Sequence, residues 1–232
     1  MNPVRVAALL VLAIGIGGAS GADPPRRTPR EALQAFNDLV GSWRITGEPA
    51  GQPREFWQEK VAWQWRFQGK EAWLQAQFDK GRCFSTAELH YLPGRDAFRL
   101  SVHTTAGRKL VFEGPLADRR LVVQRHDDAT GEDQRLVLRL LHFNRHLVRY
   151  ETRPAGRTTF TAAWQTGATK EGVPFASQDN GPECVVSGGL GTIPLTYKGR
   201  TYYVCCTGCR DAFRDEPKKY VREYEARKKN KK

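Results

Sequence analysis

The sequence is short of several things that would classify it at once. It has five cysteines in 232 residues, too few for a disulfide scaffold of this length. Its most apolar run, Val6 to Ile16, is too short to span a bilayer as a helix. It has no nucleophile elbow, no phosphate-binding glycine loop and no zinc-protease helix motif, and no internal repeat. Acidic residues are outnumbered, with Asp+Glu 25 against Lys+Arg 37 and a formal charge of +12. The remainder is ordinary: 40% apolar and 27% charged. That composition excludes intrinsic disorder, collagen and a multi-span membrane protein. The length fits one large domain or two modest ones.

Residues 1–22 place Arg5 before the apolar run and the small residues Gly17 to Ala22 after it. This is the pattern of a secretory signal peptide cut near Ala22, and it predicts a soluble periplasmic or secreted protein. An uncleaved anchor is the alternative. No cysteine lies near the cut, which argues against a lipid anchor.

Residues 23–40 read as a polar spacer and a short helix. Thr28-Pro29-Arg30-Glu31 has the capping-box form, and Leu33, Phe36, Leu39 and Val40 follow at helical spacing, predicting a helix over 29–40. From 41 to 166 the period changes to two. Trp57, Val61, Trp63, Trp65 and Phe67 share a parity, as do Leu74, Ala76 and Phe78. Phe98, Leu100 and Val102 repeat the pattern, then Leu136, Leu138 and Leu140, then Phe160, Ala162 and Trp164. Turn signals separate these runs: Gly47, Gly69-Lys70, Pro93-Gly94-Arg95, Ala106-Gly107, Ala129-Thr130-Gly131 and Pro154-Ala155-Gly156. About nine or ten strands joined by short hairpins predict an antiparallel barrel or sandwich, with the large core here because all six tryptophans lie in it.

Gly41-Ser42-Trp43, opening the first strand after a short helix, resembles the lipocalin-type Gly-x-Trp start. The resemblance implies a lipocalin-like β-barrel. Its interior would either be filled by Trp and Phe or hold a small apolar ligand. His90, His103, His126, His142 and His146 all fall in this region and are expected on the surface. Haem ligation by one of them, as in nitrobindin-type barrels, has only the partial match Gly41 to Gly47 behind it. Asp127-Asp128 and Glu132-Asp133 read as solvated turn charges. Cys83 reads as a small buried hydrophobe.

Residues 167–181 lose the alternation and form a linker. Residues 182–222 are turn-rich, with a hairpin around Lys198-Gly199 and short helices at 208–215 and 217–227. Four of the five cysteines are here: Cys184, Cys205, Cys206 and Cys209. A strand ending in Cys205, a helix starting near Cys209 and a turn at Cys184 can bring thiolates onto one ion. The helix N-terminus favours the thiolate form of Cys209. A module of about forty residues needs such help to fold. A structural zinc knuckle, a disulfide from Cys184 to Cys205 or Cys209, and a cluster that binds nothing are the other readings.

Cys184-Val-Val-Ser187-Gly188, Tyr197 through Cys205-Cys206-Thr-Gly-Cys209, and then Phe213, Pro217 and Lys219-Tyr220 resemble the YHS/TRASH family. The resemblance implies a small α+β treble-clef-like module associated with heavy-metal sensing, trafficking and resistance. Cys184, Cys205 and Cys209 match its cysteine spacing. Ser187 stands where related four-cysteine knuckles carry a second cysteine. Three thiolates suit trigonal Cu(I), a thiophilic ion such as Hg(II), or Zn(II) with water or Cys206 in the fourth position. Cys206 is otherwise a spare thiol for handing metal on.

The sequence thus predicts a mainly β protein, a lipocalin-like barrel followed by a YHS module. It predicts an exported, non-enzymatic binder of one Cu(I) or Zn(II) per chain, for buffering, trafficking or sensing. A small-molecule carrier with a structural zinc knuckle is one alternative. A thiol-redox protein is another, although no thioredoxin-like βαβ pattern accompanies the cysteines. The segment 223–232 reads as a basic tail. With 217–222 it holds eight Lys/Arg against two Glu. Such a tail is either solvated or bound to an anionic membrane or cell-wall surface. No stacking platform or recognition helix beside it points to nucleic acid.

Overall fold

A computed structural model describes residues 27–51, 55–173 and 181–230. The expected signal segment and most of the expected linker lie outside the described residues. Eleven antiparallel strands make one sheet: β1 (Gly41–Pro49), β2 (Trp57–Gln68), β3 (Glu71–Asp79), β4 (Phe84–Leu92), β5 (Ala97–Thr104), β6 (Lys109–Gly114), β7 (Leu116–Ala117), β8 (Arg120–Asp127), β9 (Glu132–His142), β10 (Arg145–Arg153) and β11 (Thr161–Lys170). β1 pairs with β11, and β6 meets β8 at Glu113–Gln124. Those two pairings close a ten-strand lipocalin-like barrel, with β7 as a side hairpin on β8.

The alternation puts the expected residues inside. Val61, Trp63 and Trp65 of β2 are buried, as are Leu74 and Ala76, Phe98 and Val102, and Leu136, Leu138 and Leu140. Four details differ. Gly47 marks no turn. It lies within β1, where the Trp57 indole occupies the space a side chain would need, 2.2 Å from an ideal Cβ. Trp73 points outward between Ala72 and Leu74 and stacks on His90 at 5.6 Å. Phe160 precedes β11 and is clamped by the Arg135 and Arg153 guanidiniums at 3.9 and 4.8 Å. The carboxylate of Asp127, expected in solvent, is buried in its turn. It accepts hydrogen bonds from the Ala129 N–H at 3.3 Å and from Arg125 at 3.1 Å.

The leading helix forms a plug. Its capping box is complete: Glu31 N–H donates to Thr28 Oγ1, and Thr28 N–H donates to the Glu31 carboxylate. The α-helix α1 (Pro29–Leu33) is shorter than the sequence predicts and tightens into a 3₁₀ turn, Gln34–Leu39. The Leu39 carbonyl turns away to accept the Trp43 indole N–H at 2.7 Å. Phe36 is fully buried edge-on to Phe98. The plug therefore covers the barrel end where β1 begins and β2 finishes.

The C-terminal module has a hairpin, β12 (Ile193–Tyr197) and β13 (Arg200–Val204), then α2 (Thr207–Asp215) and α3 (Pro217–Asn230). Lys198 and Gly199 both take positive φ, 50° and 74°, as a tight two-residue hairpin turn requires. α3 runs on through Asn230, so most of the segment read as a tail is helical. No helix among the described residues is long and apolar enough to cross a membrane.

His146 is not on the surface. It is 3% exposed, inside the barrel, with its ring edge-on to Trp43 at 4.4 Å. Burial, and then the Lys170 charge, pull its pKa from 6.5 to about 3. The folded state thus refuses a proton that the unfolded chain accepts, so stability falls as pH drops through that interval. His146→Leu removes this dependence. Denaturant unfolding from pH 7 to 4 will show the variant gaining on wild type by about 1.4 kcal/mol per pH unit below about 6.5.

Candidate metal centre

The centre is assembled from three chain segments. β13 delivers Cys205. Cys206 is the N-cap of α2, and Cys209 sits in the helix's first turn. Cys184 arrives on a separate loop that pairs in parallel with Tyr203. That loop is held by Val185 N–H donating to the Tyr203 carbonyl at 2.8 Å, and by Cys184 N–H donating to the Gly189 carbonyl at 2.6 Å. Gly188, with φ 79°, makes the reversal that brings Ser187 back under Cys184.

The result gathers Cys184, Cys205 and Cys209 with all three sulfurs within 4.8 Å of one another. Cys205 and Cys209 Sγ are 3.5 Å apart. Three thiolates about 2.3 Å from one ion would sit about 3.8–4.0 Å apart, so the sulfurs need only small shifts to close on a metal. All five cysteines are free thiols. Cys184 and Cys209 are fully buried and Cys205 is half-buried, which makes Cys205 the exposed edge of the cluster.

Ser187 replaces the missing fourth cysteine in space as well as in sequence. It is fully buried. Its N–H donates to Cys184 Sγ at 3.4 Å, and its hydroxyl lies 3.4 Å from Cys205 Sγ. Cys206 Sγ is 3.9 Å from Cys205 Sγ but does not join the three-sulfur group. It accepts instead from the backbone N–H of Trp65 in the barrel, at 3.4 Å. Protons are shared unevenly in the cluster. Burial opposes charge on Cys184, but hydrogen bonds from Cys205, Cys209 and Ser187 outweigh it and hold that thiol well below its ordinary value. Hydrogen bonds from Cys205 and Cys209 likewise hold Cys206 down. Cys205, donating to Cys184 and Cys206, is pushed up, and burial pushes Cys209 up. A thiolate on Cys184 or Cys206 would thus be supported by its neighbours' hydrogen bonds, and metal entry would displace protons from the ligating thiols.

Residues that the sequence reading passed over hold this centre in place. Arg227, counted there among the tail charges, reaches back from α3. It donates to the Val185 carbonyl at 3.0 Å and pairs with Glu183 at 3.0 Å, clamping the Cys184 loop. From the barrel side, Gln34 and Asn37 both donate to the Ser187 carbonyl at 3.1 Å. Trp65 Nε1 donates to Asn37 Oδ1 at 3.2 Å, and Thr207 Oγ1 to Gln64 Oε1 at 3.0 Å. Arg30 pairs with Glu223 at 2.6 Å. Gly208 lies so close to β2 that an added Cβ would fall 1.8 Å from the Trp65 carbonyl oxygen. No local sequence pattern marks these contacts, since each joins residues far apart in the chain.

Residues 193–224 match the YHS domain family. The match takes in Cys205, Cys206 and Cys209. Cys184 lies before it and is added by the fold. The segment that resembles the YHS domain therefore supplies, with Cys184, a three-cysteine cluster that could hold a single soft ion. No curated protein matches the chain. The chain is similar to a number of solved structures, among them the following two. The S-type phycobiliprotein lyase CPES from Guillardia theta shows 10% identity and a TM-score of 0.38, over 61% of this chain and 94% of its own. Rv2717c from M. tuberculosis shows 13% identity and a TM-score of 0.37, over 60% of this chain and 97% of its own.

Outer partners of metal ligands commonly contribute 10–100-fold in affinity. Arg227→Gln is expected to weaken Cu(I) or Zn(II) binding by at least about tenfold without loss of the barrel's circular dichroism, as measured by chelator competition. Gly208→Ala is expected to destabilise the whole protein by about 1–3 kcal/mol, as measured by denaturant unfolding.

Proposed function

We propose that this protein is an exported, non-enzymatic binder of one soft metal ion, which it holds through Cys184, Cys205 and Cys209 for buffering or handing on. The observation that carries this reading is the convergence of three sulfurs from a loop, a strand end and a helix N-terminus. Soft thiolates select Cu(I) and Zn(II) over harder ions. Three sulfurs with a hydroxyl in place of a fourth favour trigonal Cu(I), since tetrahedral Zn(II) would have to recruit water. The leader-like segment 1–22 supports export. The half-buried Cys205 offers the edge through which an ion enters and leaves.

The test is metal analysis by mass spectrometry, with a free-thiol count on the same sample of protein from its native compartment. About one ion per chain with no disulfide is expected. Absence of metal together with a disulfide inside the cluster would overturn the reading. Cys209→Ser is expected to abolish stoichiometric binding. Ser187→Cys completes a four-sulfur set and should shift preference toward Zn(II) by tenfold or more, read as the ratio of Zn(II) to Cu(I) affinities.

A further inference from the structure

The outer wall of the barrel carries a feature that the cysteine chemistry does not use. Where β8, β9, β10, β11 and β1 lie side by side, an open groove of about 520 Å³ crosses their outer face. That volume is ordinary for a small-molecule site. Its position follows from the strand register. Arg120 stands opposite Arg139, Arg139 opposite Leu147, Leu147 opposite Gly167, and Gly167 opposite Thr46. The row thus runs from two arginines, over a leucine, to a glycine with no side chain to fill the wall. Phe56, 61% exposed, also lines the groove.

The two arginines are set against their own electrostatics. Like charges directly opposite on antiparallel strands, with Cβ atoms about 4.5–5.5 Å apart, destabilise the pair. Arg120 and Arg139 are both exposed, and neither guanidinium has a hydrogen bond or ion pair among the described residues. By contrast, Arg125 on β8, Arg135 on β9 and Arg153 on β10 each meet a carboxylate. The carboxylates of the groove are engaged elsewhere. Glu151 pairs with Arg135 and, at 3.4 Å, with Arg149. Glu48 accepts a hydrogen bond from Gln165 and stands on β1, three strand spacings from β9, or about 14 Å. The counter-charge for Arg120 and Arg139 must therefore come from outside the chain. Two guanidinium forks offer two positive charges and paired N–H donors. A carboxylate, with one charge and two oxygens, would satisfy one fork. A phosphate monoester carries a charge of about −1.5 to −2 at neutral pH and three acceptor oxygens, so it can bridge both.

We propose that this outer groove binds an organic phosphate monoester, its phosphate bridging Arg120 and Arg139 and its apolar body lying over Gly167 against Leu147 and Phe56. Leu147 and Phe56 are two of the four large apolar side chains exposed among the described residues, and a ligand body would cover both. The groove takes the monoester from solution, one molecule per chain, because a flat bilayer would meet its rims and leave the floor at Gly167 empty. The site lies outside the barrel interior and does not depend on the metal.

The test is calorimetry on the full-length protein with octyl phosphate, octanoate, octanol and inorganic phosphate. Octyl phosphate is expected to bind saturably, one per chain, and at least about tenfold more tightly than each of the other three. Arg120→Gln and Arg139→Gln, both at exposed positions, should each weaken octyl phosphate by at least about tenfold while circular dichroism stays that of wild type. Gly167→Val fills the floor and should bring octyl phosphate down toward inorganic phosphate. If Gly167→Val fails to fold, the arginine variants decide. Absence of saturable binding, or octanol or octanoate binding as tightly as octyl phosphate, would overturn the proposal. So would an affinity unchanged in both arginine variants, which places the ligand elsewhere, the barrel interior included. Retention of the protein by phosphatidate vesicles without saturable octyl phosphate binding would make the face a membrane contact and overturn it too.

Discussion

The carboxamide of Asn37 is the contact through which the parts of this molecule meet. Its oxygen accepts the indole N–H of Trp65, and its nitrogen donates to the carbonyl of Ser187. An indole N–H can only donate and a carbonyl can only accept, so the carboxamide has one workable orientation. That orientation ties together the 3₁₀ plug, strand β2 and the cysteine loop. The buried Cys184–Ser187 loop owes its position to residues a hundred and fifty places earlier in the chain. Gln34 repeats the donation to the same carbonyl, which leaves the loop little freedom to swing away from Cys205 and Cys209.

This arrangement answers a difficulty of size. A module of about forty residues cannot bury much apolar surface alone. Here its core does not stop at its own boundary. Val185, Val186, Cys184 and Val204, all fully buried, belong to one continuous hydrophobic cluster with Trp65, Leu33 and Phe36. The barrel also contributes a backbone N–H to Cys206 Sγ. Such donors stabilise negative sulfur in a buried setting. The barrel thus does part of the work of holding the module, and the cysteines are gathered with every thiol free.

Much of this was legible in the chain and some of it was not, for identifiable reasons. Period-two alternation marked the barrel strands because one face of each strand meets the core. It marked no run in β10, where His146, expected on the surface, points in and Leu147 points out, 39% exposed. The register of β10 against β9 and β11 decides that, and a polar residue next to an apolar one reads locally as the reverse. The capping box at Thr28 marked where the plug begins, but not its tightening into a 3₁₀ turn that ends at Leu39, whose carbonyl accepts the Trp43 indole. Gly47 read as a turn because glycine usually is one, whereas here it makes room for Trp57 across the β1–β2 pair.

The sequence by itself determined the two kinds of structure, mainly β and then a small cysteine module, and named the three converging thiols. Those features rest on local spacing, which the chain carries from residue to residue. Tertiary structure alone decided what surrounds them. It made Arg227 a clamp rather than a tail charge, turned Cys206 toward the barrel and away from the three-sulfur group, and set a neutral histidine inside the barrel. Each depends on contacts between residues far apart in the chain, and the energy of a contact exists only where packing brings both partners together.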